Sequence, residues 1–205
     1  DAIDKAIQKN ADALLVHHGY FWRGEDACIT GMKQKRIKSL LTHNINLFAY
    51  HLPLDCHPGF GNNACLADIL GIQAPEMHDV GKIPNLLWSG SFFTGISPDG
   101  LSDLLTDKLQ RKPLHIHGRA RQIKRVAWCS GGAQDYIEKA VDLNVDAYLS
   151  GEISERTFYQ AQELGIHYFS CGHHASERYG IMALGEHLSE QFNLTHQFID
   201  SGNPV

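Results

Sequence analysis

The sequence predicts an α/β protein with substantial parallel strand pairing, built from two related halves. Short apolar runs alternate with amphipathic helical segments along the whole chain, the pattern of strands separated by crossover helices. A helix-then-strand unit at 1–15 recurs without gaps at 135–149, with Asp, Ile, Lys, Ala, Asn, Asp, Ala and Leu in common, and the following strand agrees between 45–48 and 166–169. Four strand ends run into histidine or carboxylate groups, and sites in open α/β sheets form outside the carboxyl ends of strands.

Each element has its own justification. The stretch 1–10 places Ile3, Ala6 and Ile7 on one helical face, and ADALLV is an apolar strand ending at His17. Residues 32–42 form a basic amphipathic helix, followed by the strand NINLFAYH. GNNACLADILGI is helical and stops at Gly71, a residue type that ends helices readily. From Gln73 to about Trp88, with Pro75 and Pro84, a loop is expected, then a strand at LWSGSFF. Ser97 and Pro98 occupy the cap and first position of a helix through Leu109. RVAWC is a strand leading through Ser130-Gly131-Gly132 into the helix QDYIEKAVDL; that glycine turn suits either a phosphate held on backbone amides or a tight strand-to-helix connection. VDAYLS, HYFSC and HQFID complete the strands, separated by helices at 156–164 and 177–190. The expected division is a first α/β half over 1–72, a connecting segment with strands over 73–125, and a second half over 126–205.

Composition narrows the function classes. A chain of 205 residues with 43% hydrophobic and 20% charged residues is ordinary for a water-soluble domain. Net charge −5 offers no basic footprint for nucleic acid or an anionic membrane, and no apolar run nears the roughly 18 residues of a membrane span. Five widely spaced cysteines without a CxxC argue against a disulfide framework or a thiolate zinc site, and a reducing cytoplasm is the expected compartment. Thirteen histidines, by contrast, are many for this length.

Their positions carry the chemistry. His173 and Glu177 are four apart where a strand turns into a helix, which puts both on one face, and His51 and Asp55 repeat that spacing. His17 and His18 are adjacent and point in different directions, so they suit two ions better than one. Imidazoles with carboxylates and no thiolates favour zinc, manganese or iron, with room for water. Two such ions about 3.5–4 Å apart activate water and clamp a substrate oxygen. Taken singly, each histidine is better explained as a satisfied polar residue than as a ligand; the joint placement past predicted strands is what favours ligation. Tyr20, Phe21 and Trp22 are expected in core or interface more than against substrate, and His115 and His117 suit one exposed strand face.

VHHGYFW, HLPLDCHPGFGNNACLADILGI, AWCSGG, VDAYLSGEIS and CGHHASERYG together resemble the Nif-three-like family of GTP cyclohydrolase I type 2 homologues, in its short bacterial form. The resemblance implies two similar α/β domains facing each other across a metal cleft, and assembly into a homohexamer. It places the ligands of two divalent ions on His17, His18, Asp55, His173 and Glu177, with Glu177 bridging, His18 and Asp55 sharing one ion, and His17 and His173 the other. His51 and Glu152 match positions lining the same cleft, with roles in supporting ligands or moving protons. Family members also carry several tens of residues before the position matching Asp1, including a helix and a first strand.

The expected function is metal-dependent hydrolysis of a nucleotide or related heterocycle, with activated water attacking an electron-poor ring carbon while Glu177 or Glu152 handles protons. By resemblance the substrate would be GTP. A second class is a non-catalytic metal-binding assembly or regulatory protein. A third is a nucleic-acid-processing ring, which the acidic balance opposes unless Lys33, Lys35, Arg36 and Lys38 line its hole.

Overall fold

The computed structural model describes residues 1–205 and contains two sheets of unequal size. The smaller is a parallel pair, β1 (Ala13–Val16) and β2 (Asn46–Ala49), flanked by α1 (Ala2–Gln8) and α2 (Gly31–Thr42). Leu14, Leu40, Ile45 and Ala6 are its buried core. Two short helices, α3 (Leu52–Cys56) and α4 (Asn62–Leu70), lead into the larger sheet; α4 ends at Gly71 in the left-handed region at φ 68°, a conformation without penalty only for glycine.

The larger sheet has six strands in the order β3 (Gln73–Val80), β4 (Ile83–Ile96), β6 (Ile123–Cys129), β7 (Ala147–Ser150), β8 (His167–Ser170) and β5 (Leu114–Ile116). β6, β7 and β8 are parallel and the others antiparallel to their neighbours. Every residue of β7 and β8 is buried, as strands covered on both faces require. The covering helices are α5 (Pro98–Leu109), α6 (Ile137–Asp142), α7 (Glu155–Leu164) and α8 (His173–Phe192). α5 starts as its sequence requires, with Ser97 Oγ accepting from the Gly100 amide at 3.1 Å. Two clusters, of 17 and 13 buried residues, form the core on the sheet's two faces.

The internal repeat survives into the register. Ala13 pairs with Asn46 in the small sheet and Ala147 with His167 in the large one, which are the positions that the two sequence alignments equate.

Three expectations need correction. The stretch 73–88 is not a loop but β3 and the start of β4; Pro75 is tolerated because β3 is an edge strand, where a missing amide leaves no ladder bond unmade. HQFID is not a strand. The tail instead lies along other elements, with Lys5 Nζ donating to the Asp200 carbonyl at 2.7 Å and Arg111 Nε to that of Pro204 at 3.0 Å, and it pairs with neither sheet. α8 begins at His173, four residues before the expected start, which makes His173 and Glu177 neighbours on one helical face. The stretch 73–125 supplies β3, β4 and β5 to the same sheet as the second half, and α5 to its covering layer.

Candidate metal centre

The carboxyl ends of β1, β2, β6, β7 and β8 open onto one cleft. β1 delivers His17 and His18, β2 delivers His51, β7 is followed by Glu152, and β8 turns through Gly172 into α8 with His173 and Glu177. Asp55 comes from α3. All seven residues singled out in the sequence therefore lie in or at the edge of this cleft, although His17 and Glu177 are 160 residues apart in the chain.

The ligand atoms fall into groups. One nitrogen of His17 lies with oxygens of Asp55 and Glu177, and one nitrogen of His18 with His173 and Glu177, each set within 4.8 Å. His17 Nε2 is 3.4 Å from Asp55 Oδ2 and 3.5 Å from Glu177 Oε1; His18 Nε2 is 3.3 Å and His173 Nε2 2.9 Å from Glu177 Oε2. Glu177 thus turns one oxygen to each group. This spatial grouping differs from the ligand pairing that the resemblance implies. Asp55 is grouped with His17, and His173 with His18, because the adjacent histidines of β1 splay toward opposite lobes of Glu177.

The remaining atoms of these side chains are occupied in ways that aim the free ones inward. His17 Nδ1 donates to the Tyr50 carbonyl at 2.8 Å and His173 Nδ1 to Glu152 Oε1 at 2.7 Å, which leaves lone pairs on both Nε2 atoms. Those two Nε2 atoms are buried without a hydrogen-bond partner, despite the nearby oxygens. Asp55 Oδ1 accepts from Asn62 Nδ2 and Ser130 Oγ, both at 2.9 Å, so Oδ2 faces His17. Gly131, at φ 66°, closes the floor: a Cβ there would lie 2.0 Å from Glu177 Oε1 and 3.1 Å from His173 Nε2. Converging lone pairs, carboxylate oxygens without proper donors, and a space that a single methyl group would fill are the features that a divalent cation fits.

Electrostatics agree. Burial pulls the His17 pKa down, but Asp55 and Glu177 outweigh it and raise it to about 10. Glu177 itself raises His173 to about 9 against burial, helped by Glu152. Burial pushes Glu177 up, yet His17 and His173 hold it at about 2. Without a cation the cluster retains protons where a cation would sit, so metal binding must release them. Burial, together with the neighbouring histidines, keeps His18 and His51 below the usual histidine value, against the opposing pull of Glu177. His51 lies at the mouth, 5.2 Å from the rings of His17 and His18, with the Trp22 indole edge-on at 4.8 Å.

Sequence reasoning missed three supports. Asn62 and Asn63 are fully buried; Asn62 holds Asp55 and accepts from the Gly180 amide of α8 at 2.9 Å, while Asn63 Oδ1 accepts from the Ser130 amide at 3.0 Å. The available signal was an Asn-Asn pair opening an otherwise apolar helix. Ser130 was noted only as part of a glycine turn. That turn gives its Gly131 amide to Ser176 Oγ at 3.0 Å and supports the cleft instead of presenting a free amide cradle.

Comparison with known proteins places this geometry in a family context. The model of the Duf34/NIF3 (NGG1p interacting factor 3) family matches residues 1–204. A "GTP cyclohydrolase 1 type 2 homolog" of Vibrio cholerae is 51% identical over 205 residues, covering 99% of this chain and 81% of that protein. The protein of the same name from Yersinia pestis is 49% identical over 204 residues, with the same coverage. A solved structure described as "protein ybgI, unknown function" superposes with a TM-score of 0.92 at 45% identity, over 99% of this chain and 81% of its own. TTHA1606 from Thermus thermophilus gives 0.89 at 31%, over 100% and 82%.

Proposed function

The chain belongs to the Duf34/NIF3 family, and from that premise we propose that its cleft is a two-cation hydrolytic centre acting on a nucleotide or related heterocycle. One observation carries the proposal. Glu177 divides its two oxygens between His17 and His173, whose buried Nε2 atoms make no hydrogen bond. His17 and Asp55 would hold one divalent ion, His18 and His173 the other, and Glu177 would bridge them. Imidazole and carboxylate donors admit zinc, iron or manganese alike. Such a pair supplies an acidified water near neutral pH and a clamp for a substrate oxygen.

The chain's own groups have distinct tasks in this scheme. Glu152 orients His173 and, at 41% side-chain exposure, is open enough to exchange protons with substrate or solvent. The Tyr168 hydroxyl donates to the Glu152 carbonyl and steadies the backbone there. His51, neutral at physiological pH, stands at the entrance to accept a proton or orient an incoming group. The names of the relatives, GTP cyclohydrolase 1 type 2 homologs, make GTP the first substrate to test.

Metal analysis and turnover test the proposal together. Purified protein should carry about two divalent ions per chain, and the loaded protein should convert GTP or another member of a nucleotide panel, with Glu152→Gln slowing turnover while retaining the ions. Absence of bound ions would end the two-cation reading; intact ions with no product across the panel would favour a metal-stabilised assembly protein. That second reading draws on the small core of the β1–β2 lobe, which cations in the cleft would tie to the rest. The nucleic-acid alternative loses ground because Lys33 is already paired with Glu25 at 2.8 Å. Self-association into a homohexamer, carried over from the resemblance, is tested by sedimentation.

A further inference from the structure

At the outer edge of the large sheet, away from the cleft, a second histidine cluster is assembled. β5 pairs antiparallel with β8, His115 opposite Phe169 and Ile116 opposite Tyr168. Residues two apart on a strand share a face, so His115 and His117 stand on the same side as His167 and Phe169. His167 opens β8, whose other end lies about 10 Å further along at Ser170, before the turn to His173. One ring nitrogen from each of His115, His117 and His167 lies within 4.8 Å of the others.

The ring roles leave an imbalance. His167 Nε2 donates to the Ala120 carbonyl at 2.8 Å, so its Nδ1 carries the single in-plane lone pair. Two groups converge on that lone pair: the Gly118 amide at 3.1 Å and His115 Nε2 at 3.0 Å. If His115 protonates Nε2, two donors compete for one acceptor; if it protonates Nδ1, two lone pairs face each other. A cation between the two nitrogens takes up both lone pairs of the second arrangement, and the half-buried Gly118 amide then gives up its bond to Nδ1. Nitrogens bound to one zinc ion at about 2.0–2.1 Å and a tetrahedral angle are about 3.3 Å apart, so an opening of a few tenths of an ångström suffices. His167 is already anchored through its other nitrogen to a carbonyl, as metal-bound histidines usually are. His115 is held by stacking on Phe169, 4.1 Å between centroids at 9°, and His117 is exposed with its ring 4.1 Å from that of His115.

We propose that His115, His117 and His167 form a separate binding site for a single zinc-class cation, which pins the three-residue edge strand β5 to β8 and leaves a coordination position open to solvent. It does not depend on the hydrolytic reading of the cleft.

Equilibrium dialysis of the full chain against zinc tests it. Glu177→Gln, which disables the cleft, should still bind about one ion per chain, and adding His117→Gln should weaken that ion at least tenfold. Because His117 is exposed, this change cannot be blamed on misfolding. His115→Ala should act likewise, and zinc should perturb the His115 and His117 ring resonances of the Glu177→Gln protein. A Glu177→Gln chain that binds no zinc, or one whose remaining ion is indifferent to both histidine substitutions, would overturn the proposal.

Discussion

The two lobes differ sharply in what holds them. The large sheet is sandwiched between two extensive buried clusters, while the β1–β2 pair rests on four buried residues and exposes Phe48, Tyr50 and Leu41. One edge of β1 also borders a cavity of about 1080 Å³, whose far wall is α8 and the tail. Yet three of the cleft histidines hang from this weaker lobe, and the groups they face belong to α3 and α8. The lesson is that ligand geometry in the cleft depends on how a marginal element docks against a robust one. Local stability is not uniform in a protein, and functional groups are often drawn from its low end.

The largest effect should come from Glu177, the one side chain that serves both groups. Glu177→Gln is expected to reduce bound ions in the cleft from about two per chain to near none, and to abolish the extra protection from hydrogen exchange that cations should give β1 and β2. Retention of both ions would break the comparison at its centre. Core truncations come next. Leu149→Ala, in the large lobe, should cost about 2–5 kcal/mol of global stability. Leu14→Ala should instead lower an early transition of the small lobe and leave the main one in place. A single shared transition in calorimetry for both variants would show the lobes to be one cooperative unit.

Smaller effects probe the seam between the lobes. Asn62→Leu leaves Asp55 Oδ1 and the Gly180 amide short of a partner, at about 1–3 kcal/mol, and should weaken cation binding by about 10–100-fold. Unchanged affinity in a folded variant would remove Asn62 from the support of Asp55.

The mildest test is pH. His17 and His173, raised from 6.5 to about 10 and about 9, bind protons more tightly folded than unfolded. Their stabilisation is complete below pH 6.5 and is lost as pH rises through 9 to 10. Glu177, lowered from 4.5 to about 2, stabilises above pH 4.5 and ceases to do so as pH falls through 2. Metal-stripped protein should therefore melt at lower temperature as pH climbs from 7 toward 10, and added zinc should flatten that decline by replacing the protons. Melting curves with the same alkaline slope in zinc and in chelator would contradict this.

Much of the molecule was legible in advance. Apolar runs bounded by helical periods marked β1, β2, β6, β7 and β8; in β7 and β8 the run is nearly continuous because those strands are buried on both faces. The repeat even anticipated the register of both parallel pairs. β3 was illegible because its exposed, proline-bearing edge carries no alternation, and the HQFID tail misled because propensity says nothing about whether a neighbouring edge is free. Among site residues, histidines past strand ends were conspicuous, whereas Asn62 and Asn63 looked like any polar pair at a helix start.

What the sequence alone determined was the inventory: which residue types stand at the ends of which strands, and the spacing of four that puts His173 above Glu177 once a helix forms. That follows from local periodicity, which needs no partner. Only the tertiary structure put Asp55 beside His17 and His173 beside His18, and let Asn62 reach across to both walls. Those choices rest on the docking of two lobes, and contacts between residues far apart in the chain leave no period to read.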